Sequence, residues 1–189
     1  MFSFLKDNSY TIFKMFVNQI GMTIFGLAVS FATSNFDGLF LGASVFGVLF
    51  YLVLLYTMTW EEGFRQSQAI EAGRKKYIPL SGLYMSLCAN LINIVLGVLV
   101  VAGFYGASTY SAEGFPSAPD WSVNCYGIGK MVSKLLNGVY AGIVTRFETF
   151  PWVYLLIVVP SLAVCTVAYI LGVKGIHLTG LVGNKPNRE

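Results

Sequence analysis

The chain has 189 residues, a length suited to one domain, of which 56% are hydrophobic and only 11% charged. Soluble domains carry about 25% charged residues, so this composition excludes a soluble globular fold and points to a membrane protein. A net charge of +3, scattered along the chain without a basic stripe bearing aromatics, speaks against nucleic acid as a partner.

A helix needs about 20 mainly apolar residues to cross the hydrocarbon of a bilayer. The first segment that qualifies is about Phe13 to Thr33, FKMFVNQIGMTIFGLAVSFAT. Lys6 and Lys14 give it a positive front, but its apolar run is too long for a signal peptide, so a retained span is expected. It carries two amides, Asn18 and Gln19, just after Lys14. The second segment, Gly38 to Trp60, opens with a Gly38/Gly42 pair at packing spacing.

Between the second and third spans lies WEEGFRQSQAIEAGRKKY, residues 60–77, the most charged stretch of the chain. Glu61 to Arg65 and Glu71 to Lys75 are both i,i+4 pairs in the favourable order. Gly63 and Gly73 each weaken a helix by about 1 kcal/mol, which predicts a broken, interfacial one. The stretch reads as a solvated topological anchor, with a docking surface for a cytoplasmic partner as the alternative.

The third segment runs from Leu80 to Tyr105 and contains ANLINIVLG, with Asn90 and Asn93 on one face with Ser86 and Gly97. From Trp60 to Gly97, the tryptophan, glycine and basic spacing followed by ANLINIVLG resembles a group of small bacterial multi-span membrane proteins. The resemblance implies no activity, cofactor or site residue.

Residues 106–150 form a long connection. A loop rich in Ser, Gly, Pro and aromatics precedes IGKMVSKLLNGVYAGIVTRF, whose apolar residues recur at helical spacing. Met131, Leu135, Val139 and Ile143 lie on its apolar face, with Lys130, Ser133, Lys134 and Asn137 opposite. Only about ten residues run free of strong charge, half of what a span needs. An amphipathic helix lying in the outer interface is the expected structure. The fourth span runs from Pro151 to Lys174, and Pro160 within it predicts a bend.

Lys and Arg orient the bundle. Lys6, Lys14, Arg65, Arg74, Lys75, Lys76, Lys174, Lys185 and Arg188 fall on one side, against Lys130, Lys134 and Arg146 on the other. Nine against three places both termini in the cytoplasm of a multi-pass protein of the cell membrane.

Cys88, Cys125 and Cys165 show no pairing or metal-binding spacing, and the single histidine, His177, lies at the edge of the last span without a catalytic companion. There is no HExxH, GxSxG or glycine-rich phosphate loop, and no Asp or Glu within the four segments. An enzyme, a metal site, a cofactor and proton-coupled transport are therefore not expected.

Amide side chains within the spans are confined to Asn18, Gln19, Asn90 and Asn93, which must find partners or line a wet cleft. The sequence thus predicts an all-α integral membrane protein: a four-transmembrane-helix bundle forming a single membrane domain over residues 1–189, with an extracytoplasmic interfacial amphipathic helix. Its expected role is non-enzymatic, an accessory or structural component acting among membrane lipids through a membrane-protein partner or a second copy of itself. The alternative is a small transporter subunit or carrier for a neutral solute, using the amide cluster.

Overall fold

The computed structural model describes residues 2–33, 35–74, 76–112 and 120–176. His177, Lys75 with its expected Glu71 pairing, residues 113–119 of the long connection and the residues after Ile176 lie outside this set. All regular structure among the described residues is helical. Four stretches are long and apolar enough to cross a membrane: Lys6–Thr33, Gly38–Glu71, Leu91–Ser108 and Val153–Val173.

Helices α1 (Phe2–Thr33) and α2 (Asp37–Glu71) form an antiparallel pair, tied at the far end from their connection by Thr11 to Glu62 and Gln66 to Asn8 hydrogen bonds. α2 does not break at Gly63, contrary to the helix-weakening expectation. A Cβ on Gly63 would lie 2.5 Å from the Tyr169 carbonyl oxygen, so the glycine is there to let the last helix approach. Close packing outweighs a propensity cost of about 1 kcal/mol. The helix instead ends at Gly73, whose φ of +70° admits the left-handed turn. There Gly73 N–H donates to the Ile70 carbonyl and Arg74 N–H to that of Ala69, the paired bonds of a Schellman stop.

The third span is two helices, α3 (Ser81–Ala89) and α4 (Leu91–Ala112), meeting at Asn90. After α5 (Asp120–Leu136) and α6 (Ala141–Arg146) come α7 (Val153–Leu156) and α8 (Val159–Val173), which share the fourth span. Their interruption lies just before Pro160, whose missing N–H and ring displace the helix at that turn, in line with the predicted bend.

Burial differs from that of a soluble protein: beside an apolar core that includes Met15, Tyr51, Leu55 and Met85, polar side chains are buried and many large apolar ones face outward. Asn8, Thr11, Ser44, Ser86, Asn90 and Ser161 are buried, while Phe13, Phe31, Phe46, Val53, Leu91 and Val98 are exposed. Lipid offers no drive to bury apolar side chains, so small and polar residues mark the helix contacts.

The long connection departs most from expectation. α5 (Asp120–Leu136) runs antiparallel along α4: Gly106 meets Trp121 and Ser122, Gly103 meets Ser122 and Tyr126, and Gly129 meets Leu99 and Val100. The chain turns at Asn137, makes one 3-10 turn over Gly138–Tyr140, and returns through α6 (Ala141–Arg146) beside the start of α2. Gly142 there abuts Phe40 and Ser44, and its N–H donates to Ser44 Oγ at 2.8 Å.

A single helix spanning 131–147 is therefore replaced by a helical hairpin, and its four apolar residues do not share a face. Val139 is 4% exposed, in the core against Gly26 and Gly47, whereas Met131 and Leu135 are 66% and 49% exposed on the outside of α5. Ile143 is half-buried. The inward face of α5 is Ser122, Gly129 and Ser133, all buried. The apolar stripe was sound as periodicity, but small residues rather than large ones define the packed side.

Candidate functional site

The hairpin ends among amides. Asn137 Nδ2 donates to Asn93 Oδ1 at 3.2 Å, and Asn93 Nδ2 donates to Asn90 Oδ1 at 3.2 Å. Asn90 Nδ2 in turn reaches the Ser86 carbonyl at 3.0 Å and Ser161 Oγ at 3.3 Å. Asn93 lies close to midway along the expected third span, 13 residues from Leu80 and 12 from Tyr105, or about 18–20 Å from either end at 1.5 Å per residue. A helix that stops at such depth leaves carbonyls to be satisfied. Ser133 O accepts from both the backbone and side chain of Asn137, and Leu136 O accepts from Thr23 Oγ1 at 2.6 Å.

Of the four amides anticipated from the sequence, the structure joins Asn90 and Asn93 directly. Gln19 shares with Asn90 a cavity also bordered by Thr23, Tyr51 and Asn137, of about 10 Å³, room for about one water. The Gln19 amide makes no hydrogen bond with a described residue. Asn18 stands apart: its Nδ2 is buried without a partner and does not join the chain. Sequence reasoning missed Asn137, Ser161 and Thr23. For Asn137 the signal is in the sequence, an Asn-Gly pair that interrupts an apolar run.

No charged side chain lines this cavity or the neighbouring one of about 70 Å³ bordered by Phe16, Gln19, Ala89, Ile92 and Asn93. The site can hold a hydrogen-bonding group by donor and acceptor geometry alone. The described residues that line it include hydroxyls (Thr23, Tyr51 and Tyr140) and amides, but no Asp, Glu, His, Cys, Lys or Arg.

A second polar network closes the opposite end of the bundle, around Glu62. This carboxylate, 6% exposed, accepts from Thr11 Oγ1 at 2.9 Å, Arg65 Nη2 at 2.6 Å and Gln66 Nε2 at 2.7 Å. Tyr169 OH donates to Gln66 Oε1 at 2.8 Å. The pairing expected between Glu61 and Arg65 is thus made by Glu62, because the helix turns Glu61 outward and Glu62 against α1. At the hairpin, Lys130 and Lys134 both bind Glu148, the latter at 3.1 Å. The three cysteines are free, and among the described residues no three His, Cys, Asp or Glu side chains group as metal ligands.

Comparison with known proteins returns no matching family model, no similar curated protein and no similar solved structure.

Proposed function

We propose that this chain is a non-enzymatic carrier, or carrier subunit, for a neutral hydrogen-bonding molecule, and that the amides at the tip of the hairpin are its binding site. The observation that carries this reading is the meeting of the Asn137–Asn93–Asn90 chain with a small cavity where the Gln19 amide has no protein hydrogen bond among the described residues. An amide left without a partner in hydrocarbon is costly, and a ligand that supplies both donor and acceptor removes that cost. The uncharged lining selects against ions, whose desolvation it could not repay.

The excess of Lys and Arg on the side of the termini supports a cell-membrane protein with both termini in the cytoplasm. In that orientation the hairpin of α5 and α6 penetrates from the extracytoplasmic side to about mid-bundle, with Met131 and Leu135 towards lipid. Irregular backbone at such depth is tolerated where protein covers it or a cavity borders it, and the Asn137 turn meets both conditions. An accessory role through protein partners would call for an apolar outer face able to receive them. With Val139 in the core, the exposed apolar face of α5 is limited to residues such as Ile128, Met131 and Leu135, and the amide site is the better-supported reading.

The test is native mass spectrometry of the protein released from its own membranes in lipid nanodiscs. A neutral molecule should accompany the wild type and be lost from Gln19→Leu, while the melting temperatures of the two proteins stripped of that molecule stay close, because the Gln19 amide makes no hydrogen bond with a described residue. Retention of that mass by Gln19→Leu, or an empty wild type, would contradict the proposal.

A further inference from the structure

We infer that the ligand arrives sideways from the bilayer, and that it is a single-chain amphiphile with an uncharged hydrogen-bonding head such as an alcohol, ester or amide. The inference rests on the amide-site reading above and adds the class of molecule and its route. Three spaces lie in a row. The outermost is an apolar groove of about 480 Å³ on the outer wall between α1 and the α3–α4 junction, lined by Ile12, Phe13, Phe16, Cys88, Leu91 and Ile92. Phe16, Ala89 and Ile92 are shared with the 70 Å³ cavity behind it, and Gln19, Thr23 and Leu136 are shared between that cavity and the one facing Asn90 and Asn137.

The groove alone has the size of a ligand site, whereas the inner spaces admit only a small group. That graded shape and polarity matches a molecule with a tail and a compact head. The tail lies on Phe13, Phe16 and Ile92, and the head reaches the amides of Gln19 and Asn93. Ser9 is the one polar residue of the groove, at its far end from Gln19 by 10 residues or about 15 Å of helix, so a charged headgroup finds no counter-ion anywhere along the path.

A photoactivatable diazirine analogue of mono-oleoylglycerol, in phosphatidylcholine nanodiscs, tests this. Cross-links should concentrate on peptides containing Phe13, Phe16 and Ile92, and unlabelled mono-oleoylglycerol should compete while glycerol and oleate do not. Ile92→Trp fills the groove from a half-exposed position and should lower labelling by about tenfold. Gln19→Leu should lower it by about three- to tenfold, the effect of losing a head-group hydrogen bond. Even labelling of all lipid-facing helices, or no response to Ile92→Trp, would overturn the lateral route. Competition by glycerol with loss at Gln19→Leu would leave the amide site standing but reached from water. Loss at Ile92→Trp without loss at Gln19→Leu would leave a lipid groove and refute the amide site.

Discussion

Asn137 and Asn93, 44 positions apart, share a hydrogen bond of 3.2 Å that fixes the tip of the α5–α6 hairpin to the first turn of α4, beside the break at Asn90. Interhelical side-chain bonds in membranes contribute about 0.6–2 kcal/mol, because the unfolded chain in lipid also finds partners. Asn93→Ala and Asn137→Ala should each destabilise the protein. The double variant should fall short of additivity by about 0.5–2 kcal/mol in a mixed-micelle unfolding cycle. Strict additivity would mean that the two amides act independently.

The hairpin is seated on α1 by a pair of glycines. A Cβ on Gly26 would lie 2.5 Å from the Gly138 carbonyl carbon, and one on Gly138 would lie 2.7 Å from the Thr23 carbonyl oxygen. Backbone on both sides cannot yield as a side chain would, so Gly26→Ala and Gly138→Ala should each cost about 1–3 kcal/mol. Gly21, on the same helix with nothing within 4 Å of its Cβ position, is the control and should tolerate alanine. Unfolding in detergent compares the three, and equal behaviour would contradict the close seating.

Hydropathy located the four spans because each lipid-facing run must be long and apolar, and that constraint is local. The hairpin escaped the same rule. α5 needs lipid-compatible residues only on its outer side, at Ile128, Met131 and Leu135, while Ser122, Gly129 and Ser133 turn to α4. Small residues are too common in this chain, with 20 glycines, for Gly103 and Gly106 to announce their partner. Asn90 and Asn93 could be read together because helical spacing places them on one face. Their contact with Asn137, and Gln19's position across the cavity, depend on tertiary packing that spacing does not encode. The same holds for Glu62, since both acids of the pair fit a local ion pair with Arg65 and only the approach of Thr11 selects one.

Glu62 should matter far more than its neighbour. Glu62→Leu leaves the Thr11 hydroxyl and one Gln66 bond unsatisfied and should cost about 1–3 kcal/mol. Glu62→Gln keeps an acceptor oxygen and should cost less. Glu61→Gln, at an exposed position, should stay within about 0.5 kcal/mol of wild type. Thermal unfolding of the three variants decides it, and an equal loss from Glu61→Gln would mean that the buried network is not what holds α2 to α1.

Acid should loosen the hold of α5 on the turn that follows α6. The hydrogen bond from Lys130, opposed by desolvation and reinforced by Lys134, holds the Glu148 carboxyl below its ordinary value of 4.5. A carboxyl lowered in the folded state contributes stability fully above its unfolded value and loses it as the pH falls through the folded one. The contribution stays under about 1 kcal/mol because the three side chains are partly solvated. Wild type should exceed Glu148→Gln in stability at pH 7, and the gap should close on acidification below 4.5. A gap that widens in acid would reverse the assigned sign.

Whether α5 descends beside α4 or lies across the bundle's outer end is settled by the depth of its exposed side chains. Nitroxide labels at Val123, Ile128, Met131 and Leu135, each introduced alone as cysteine in a protein lacking Cys88, Cys125 and Cys165, report depth through relaxation by oxygen against a water-soluble nickel chelate in bilayers. Along α5 the 12 residues from Val123 to Leu135 correspond to about 18 Å. The predicted result is a steady gain in oxygen over nickel accessibility from Val123 to Leu135, with Leu135 close to the depth of a label at Ile92. One shallow depth shared by all four positions would contradict the hairpin, and with it the buried amide site at its tip.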